Sequence, residues 1–208
     1  KKAAYLHGSW DSFAGQLFSE WNRDRHVYSA DIEIASTWKH HAGIDWGFAA
    51  PFAALSGAFD EDGRLWVYRE LYATEVGEAE QAERILNGEL AAGEESVVRH
   101  GDQAMWARRG DAASIMSVYA DHGVSLTRAN NDRLSGWGRI RQLLKEGAAC
   151  GHHRALGWET CPMLHVNETC ANLVRTFPDI PYDTRKIEDC DTQAEDHAVD
   201  ALRYLVMG

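Results

Sequence analysis

Three strand-length runs follow one another between residues 43 and 72 with only short turns between them. Gly43-Ile44-Asp45-Trp46-Gly47 reads as a strand with one charged residue in its middle. Ala53 to Phe59 reads as a second strand, ended by the turn residues Asp60-Glu61-Asp62-Gly63. Leu65 to Tyr72 reads as a third, with Leu65, Val67, Arg69 and Leu71 alternating against Trp66, Tyr68, Glu70 and Tyr72. Consecutive strands joined by tight turns make an antiparallel meander. A meander must bury a face against further elements.

The downstream sequence supplies them. Thr74 is placed to cap a helix with Ala79, Ala82, Leu86 and Leu90 on one face. Ser96 to His100 reads as a short strand ending at Gly101-Asp102, and Asp111 as the cap of a helix carrying Ile115, Met116, Val118 and Tyr119 up to Gly123. Val124 to Arg128 reads as a strand. Leu134 to Lys145 reads as a helix with Trp137, Ile140 and Leu144 inward, and Met163 to Val166 as a last strand or half of a hairpin. Thr192-Gln193-Ala194-Glu195 fits a capping box for a closing helix striped by Ala198, Leu202, Leu205 and Val206, with Gly208 at its end. A meander followed by alternating strand and helix implies an α/β fold, a mixed sheet with helices on both faces. That order is the arrangement of the ribonuclease H superfamily. Residues 1–37, aromatic-rich but without clean alternation, read as a linker or packing arm with a short helical turn at Gln16 to Trp21; residues 38–208 read as the domain proper.

The 208 residues suffice to bury a real core, and 45% hydrophobic with 25% charged residues is ordinary for a globular chain. The apolar runs are short, so no bilayer-spanning segment and no membrane partner is expected. The chain begins Lys1-Lys2 without an initiator Met or a signal-peptide core, and reads as a soluble piece of a longer polypeptide. The net charge of -11, from 21 Lys+Arg against 32 Asp+Glu, argues against a nucleic-acid partner unless the acids gather in a metal site. Cys150, Cys161, Cys170 and Cys190 form no Cys-x-x-Cys pair and are expected as reduced thiols.

Three acids stand out. Asp45 sits inside a buried-looking strand, where an unpaired carboxylate costs several kcal/mol. Asp102 sits at a strand's C-terminal end, where open α/β sheets place their ligand sites. Asp200 lies mid-helix beside Ala198, Val199, Ala201 and Leu202, and Asp196 and His197 share its face at spacings of four and three. Singly each has a bland reading: an edge-strand acid, a turn residue, an acidic first turn. Together they describe carboxylates on a central strand, a neighbouring strand end and a packed helix. Such a cluster suits divalent cations with hard oxygen ligands, Mg²⁺ or Mn²⁺. Two such ions would support phosphodiester cleavage and offset the acidic potential toward DNA.

Gly43-Ile44-Asp45-Trp46-Gly47, Ala50-Pro51-Phe52-Ala53 and Tyr68-Arg69-Glu70-Leu71-Tyr72 resemble the nuclease domain of bacteriophage terminase large subunits. So does Asp196-His197-Ala198-Val199-Asp200-Ala201-Leu202-Arg203-Tyr204. Tyr5-Leu6-His7-Gly8-Ser9-Trp10-Asp11 and Gly15-Gln16-Leu17-Phe18 are similar to that family's segment between ATPase and nuclease domains. The resemblance covers nearly the whole chain. It implies a ribonuclease H-like, metal-dependent DNA endonuclease that cuts concatemeric viral DNA when packaging begins and ends, with low sequence specificity and two Mg²⁺ or Mn²⁺ ions. It implies Asp45, Asp102 and Asp200 as metal-binding catalytic acids, with His197 beside them as a metal-site or proton-handling residue and Asp196 as an alternative fourth acid. One departure is that the second acid stands in Gly101-Asp102-Gln103-Ala104, where the family often has Asp-Pro-Ala. The implied partners are double-stranded viral DNA, an N-terminal ATPase domain, the portal and the small terminase subunit, in the host cytoplasm. No Gly-x-x-x-x-Gly-Lys-Ser/Thr occurs here, so these residues carry no ATP-phosphate loop. Rival readings are a junction-resolvase or transposase relative, separable by activity on branched against linear DNA, and a degenerate docking domain, separable by loss of metal binding.

Sixteen of the 21 basic residues are Arg, the better bidentate phosphate binder. Arg108 and Arg109, beside Trp106, are candidate DNA contacts, as are Arg128, Arg133, Arg139 and Arg141. Surface loop and solvated helix charges are the competing readings. Cys150, His152, His153 and Cys161 are the nearest approach to a zinc set. Their spacing matches no common pattern, so loop histidines and packed thiols are expected.

Overall fold

The three expected strands of the meander are present, in a computed structural model that describes residues 15–29, 32–183, 189–191 and 194–208. A four-residue helix α1 (Arg23–His26) runs into a short strand β1 (Val27–Tyr28). The meander follows as β2 (Lys39–Asp45), β3 (Phe52–Phe59) and β4 (Leu65–Ala73). Helix α2 (Glu78–Ala91) leads to β5 (Val97–Gly101), a 3₁₀ turn at Gln103–Trp106, α3 (Ile115–Asp121) and β6 (Thr127–Arg128). Helix α4 (Arg133–Leu143) precedes a small hairpin, β7 (Glu146–Ala148) and β8 (Thr160–Pro162), with α5 (Gly151–Ala155) between its strands. Then come β9 (Leu164–Asn167), α6 (Ala171–Thr176), a 3₁₀ turn at Phe177–Asp179, and the closing helix α7 (His197–Val206).

Seven strands form one mixed sheet in the order β1-β9-β4-β3-β2-β5-β6. The meander pairs antiparallel, while β5 joins β2, and β9 joins β4, in parallel. Each face carries its own core. On one, Ala53, Leu55, Leu65 and Val67 pack with Trp137 and Ile140 of α4, Leu173 of α6 and Ala198, Leu202 and Leu205 of α7. On the other, Ile44, Phe52 and Ala54 pack with Ala82 and Ile85 of α2 and Ile115 and Tyr119 of α3. This is the expected mixed sheet with helices on both faces. Leu17, Phe18 and Trp21 also belong to the first core, so these residues pack onto the domain. Among the described residues no helix is long and apolar enough to cross a membrane.

Several local expectations are corrected. The alternation of β4 does not hold along its length, because an irregularity at Ser56/Gly57 shifts the register, pairing Ser56 with Arg69 but Gly57 with Val67. An extra residue in one strand swaps the faces beyond it. Leu65 and Val67 therefore join the α7 side, whereas Leu71 joins the α2 side. Helix α2 starts after Gly77, not Thr74, and buries Gln81, Ala82, Ile85 and Glu89, leaving Leu90 80% exposed. Its inward polar residues are paired: Gln81 Nε2 donates to Gly47 O at 2.8 Å, and Glu89 accepts from Arg99. Ser114, not Asp111, caps α3, accepting from Ser117 N at 3.1 Å. Helix α7 begins at His197 with Asp196 in the cap position and no side-chain cap bond; Thr192 and Gln193 lie outside the described residues. The resemblance segment Tyr5 to Asp11 also lies outside them.

Candidate active site

Helix α7 crosses β2 closely because Gly43 has no side chain. A Cβ there would lie 2.0 Å from Ala201 O and 2.5 Å from Leu205 N. Ala198, Ala201, Leu202 and Leu205 are all buried against the sheet, and this fixes the rotation of the helix. Asp200, one position before Ala201, then faces the C-terminal end of β2, where Asp45 is the last strand residue. Parallel pairing of Ile44 with Gly101 sets Asp102 beside Asp45 at the next position, and Asp102 N donates to Ile44 O at 3.4 Å. Three of the sequence-expected acids are thereby brought to one end of the sheet.

Their surroundings differ. His197 Nδ1 donates to Asp45 Oδ2 at 2.9 Å. Asp45 keeps only 14% of its side-chain surface exposed. Burial pushes its carboxyl up to about 6, the charges of Asp200 and Asp196 push the same way, and the His197 bond opposes them. The His197 imidazole is raised, first by that bond to Asp45 and then by the surrounding acids, against the effect of its own burial. Asp196 is raised by burial and by Asp200. Asp102 is half-buried; its Oδ1 accepts from Ala104 N at 3.1 Å and from Asn131 Nδ2 at 3.2 Å. Burial raises the Tyr204 hydroxyl, and the charges of Asp200, Asp45 and Asp102 all act on it in that direction.

Two arginines answer the acidic charge. Arg203 Nε donates to Asp200 Oδ1 at 2.9 Å, and Arg133 Nη1 to Asp200 Oδ2 at 3.4 Å. Arg133 also lies 3.7 Å from Asp196 and 3.1 Å from Asp189. Among the described residues the three acids do not draw their oxygens within 4.8 Å of one another. Asp200 is held toward its arginines instead. The donor set fits a hard divalent cation: the acids offer carboxylate oxygens, and half-buried Asp45 is met among the described residues by the His197 donor.

The expected DNA contacts divide. Arg108 and Arg109 are exposed on the loop beyond Gly101, and Arg128 is exposed at the end of β6. Arg109 meets Glu78 at 2.6 Å and lies over the Trp46 ring, and Arg128 lies over the Trp106 ring. Arg139 is exposed on α4. Arg133 turns inward as described, and Arg141 donates to Leu17 O at 2.9 Å. Arg203 and Asn131 are further site residues; Arg203 carries a sequence signal, standing three residues after Asp200 on the same helical face, whereas Asn131 carries none.

No family model and no curated protein matches this chain. Solved structures do. The nuclease domain of the P22 large terminase superposes with a TM-score of 0.71 at 17% identity, over 93% of this chain and 92% of that one. A large terminase from a thermophilic bacteriophage, in complex with ATP-gamma-S, gives 0.70 at 17% identity over 92% of this chain and 45% of its own. The large terminase nuclease of thermophilic phage G20c with bound magnesium gives 0.63 at 9% identity over 93% and 97%. The chain thus spans less than half of the ATP-gamma-S-bound large terminase and nearly all of the two nuclease domains. At these identities the likeness shows the fold, which is that of phage large terminase nuclease domains, of ribonuclease H-like type.

Proposed function

We propose that this chain is the metal-dependent DNA endonuclease domain of a phage terminase large subunit. One observation carries the reading: Asp45 and Asp102 end adjacent parallel strands while Asp200 faces them from a helix locked by Gly43. Structural neighbours that include a nuclease with bound magnesium and another with bound cobalt support a divalent cation as the cofactor. Asp45, Asp102 and Asp200 would hold two Mg²⁺ or Mn²⁺ ions, with Asp196 as a further candidate oxygen donor. The chemistry such ions supply when bound is activation of the attacking water and stabilisation of the leaving oxygen.

The chain's own residues do the rest. His197 holds a proton at Nδ1 against Asp45 Oδ2, orienting that carboxylate and keeping a proton-handling group beside it. Arg133 and Arg203 hold Asp200 and temper its charge, so the acids can stay together before cations arrive. Exposed Arg108, Arg109 and Arg128 would grip phosphates on this face without reading bases. Cutting of concatemeric viral DNA at the start and end of packaging follows from this reading. So do residues 1–37 as the segment toward an ATPase domain, residues 38–208 as the nuclease, portal and small-subunit partners, and action in the host cytoplasm.

The test is cleavage of supercoiled and linear duplex DNA by the wild type and Asp45→Asn. Cleavage with Mg²⁺ or Mn²⁺, none with excess EDTA, recovery on restoring Mg²⁺, and none in Asp45→Asn is the expected outcome. Undiminished cutting in EDTA, or by Asp45→Asn, overturns the mechanism. A strong preference for branched over linear DNA favours a junction-resolving enzyme instead.

A further inference from the structure

The far side of the sheet carries four side chains that cleavage does not use. Cys150 precedes α5, His153 lies within it, Cys161 is in β8 and His165 is in β9. All four are buried, His165 and Cys161 completely. One ligand atom from each lies within 4.8 Å of the other three. Cys150 Sγ is 3.1 Å from His153 Nδ1, and Cys161 Sγ accepts from Cys150 N at 3.3 Å.

The telling member is His165. Both its ring nitrogens are buried, and neither has a hydrogen-bond partner among the described residues. Leaving a buried polar group unpaired is costly, and an imidazole has two such atoms. The ring is nonetheless gripped, stacked 4.0 Å from Trp66 and 5.0 Å from the His153 ring. A side chain so tightly placed with no protein partner implies a partner of another kind.

The donor set says which. Two thiols and two imidazoles suit a borderline-soft cation with tetrahedral preference, and four protein ligands in a closed pocket leave no open position for chemistry. The spacing is Cys-x₂-His-x₇-Cys-x₃-His. Residue 152 does not belong to the set, and the fourth donor comes from a sheet strand, which is why spacing alone did not expose it. We propose that Cys150, His153, Cys161 and His165 form a structural zinc site that pins the β7–β8 hairpin and α5 to the sheet at β9. This site is independent of the nuclease reading: its donors are S and N, and those of the acidic site are O.

The test measures metal in the full chain, expressed with zinc and purified without chelator. One zinc per chain is expected by elemental mass spectrometry, unchanged in Asp45→Asn. Cobalt substitution should give the visible absorption of a tetrahedral, thiolate-bound ion. Cys161→Ser and His165→Asn should each lose bound zinc and that absorption, and stripping zinc from the wild type should lower its unfolding temperature. Wild-type protein that holds no zinc after reconstitution and shows no tetrahedral cobalt spectrum overturns the proposal, whether or not the variants fold. A Cys150–Cys161 disulfide in freshly purified protein overturns it too.

Discussion

Replacing Asp45 by Asn should abolish cleavage and yet stabilise the protein when Mg²⁺ and Mn²⁺ are absent. The native carboxyl holds its proton up to about 6, whereas in the unfolded chain it releases it near 3.8. Between those values the native state binds more protons than the unfolded state, so stability falls as pH rises through that window. The window is about two pH units wide at about 1.36 kcal/mol each, a ceiling of ~3 kcal/mol above pH 6. Structural relaxation lowers this, and about 1–3 kcal/mol is the working expectation. His197 adds to the slope. Its raised value makes its contribution complete below 6.5 and lost as pH rises through the native value. The side-chain amide of Asp45→Asn can still accept the His197 hydrogen bond but carries no charge, so both windows flatten. Urea or thermal unfolding of wild type and variant from pH 4 to pH 8, without Mg²⁺, Mn²⁺ or chelator, measures this. Each kcal/mol corresponds to roughly 2–4 °C in a domain of this size. Added Mg²⁺ should raise the wild type and not the variant, narrowing or reversing the order. A variant less stable than wild type at pH 8, or a wild type whose stability does not fall between pH 4 and 7, refutes the reasoning.

Asp200→Asn should also abolish cleavage but with the opposite effect on folding, because Arg203, 2% exposed, and Arg133 lose their anionic partner; a loss of about 3 kcal/mol in urea unfolding is expected, and a stabilised Asp200→Asn would show that the arginines do not depend on it. His197→Ala should slow cleavage by about 10–100-fold and flatten the rate profile near neutral pH, so an unchanged profile removes it from proton handling. The triple variant Arg108→Ala, Arg109→Ala and Arg128→Ala should weaken duplex binding equally for unrelated sequences and shrink the salt slope by roughly 0.9 per lost phosphate contact; an unchanged slope takes the DNA off this face.

The meander was readable because strand alternation and the Asp60-to-Gly63 turn are local properties, carried by neighbours in the chain. The acids stand out in the sequence because each breaks a local rule: charge inside an apolar strand, at a strand end, or on a packed helical face. Arg203 was within reach by helical spacing. What was not legible depended on distant contacts. The register shift at Ser56/Gly57, which moves Leu71 to the other core, comes from strand pairing. The inward turn of Arg133 exists because Asp189, Asp196 and Asp200, far along the chain, attract it. Leu90 fits the apolar stripe of α2, yet Glu89 is buried instead because Arg99 of β5 meets it there.

Propensity, periodicity and side-chain type act over a few positions, so they mark which residues could carry chemistry and roughly which elements bear them. How they meet is set by packing between distant segments. Gly43 lets a helix touch β2, and parallel pairing sets Asp102 beside Asp45. His165, unremarkable in a strand, completes a four-donor cluster with residues of a separate hairpin. The physical reason is that a ligand site is a matter of distance and burial, and both are set by packing between segments far apart in the chain.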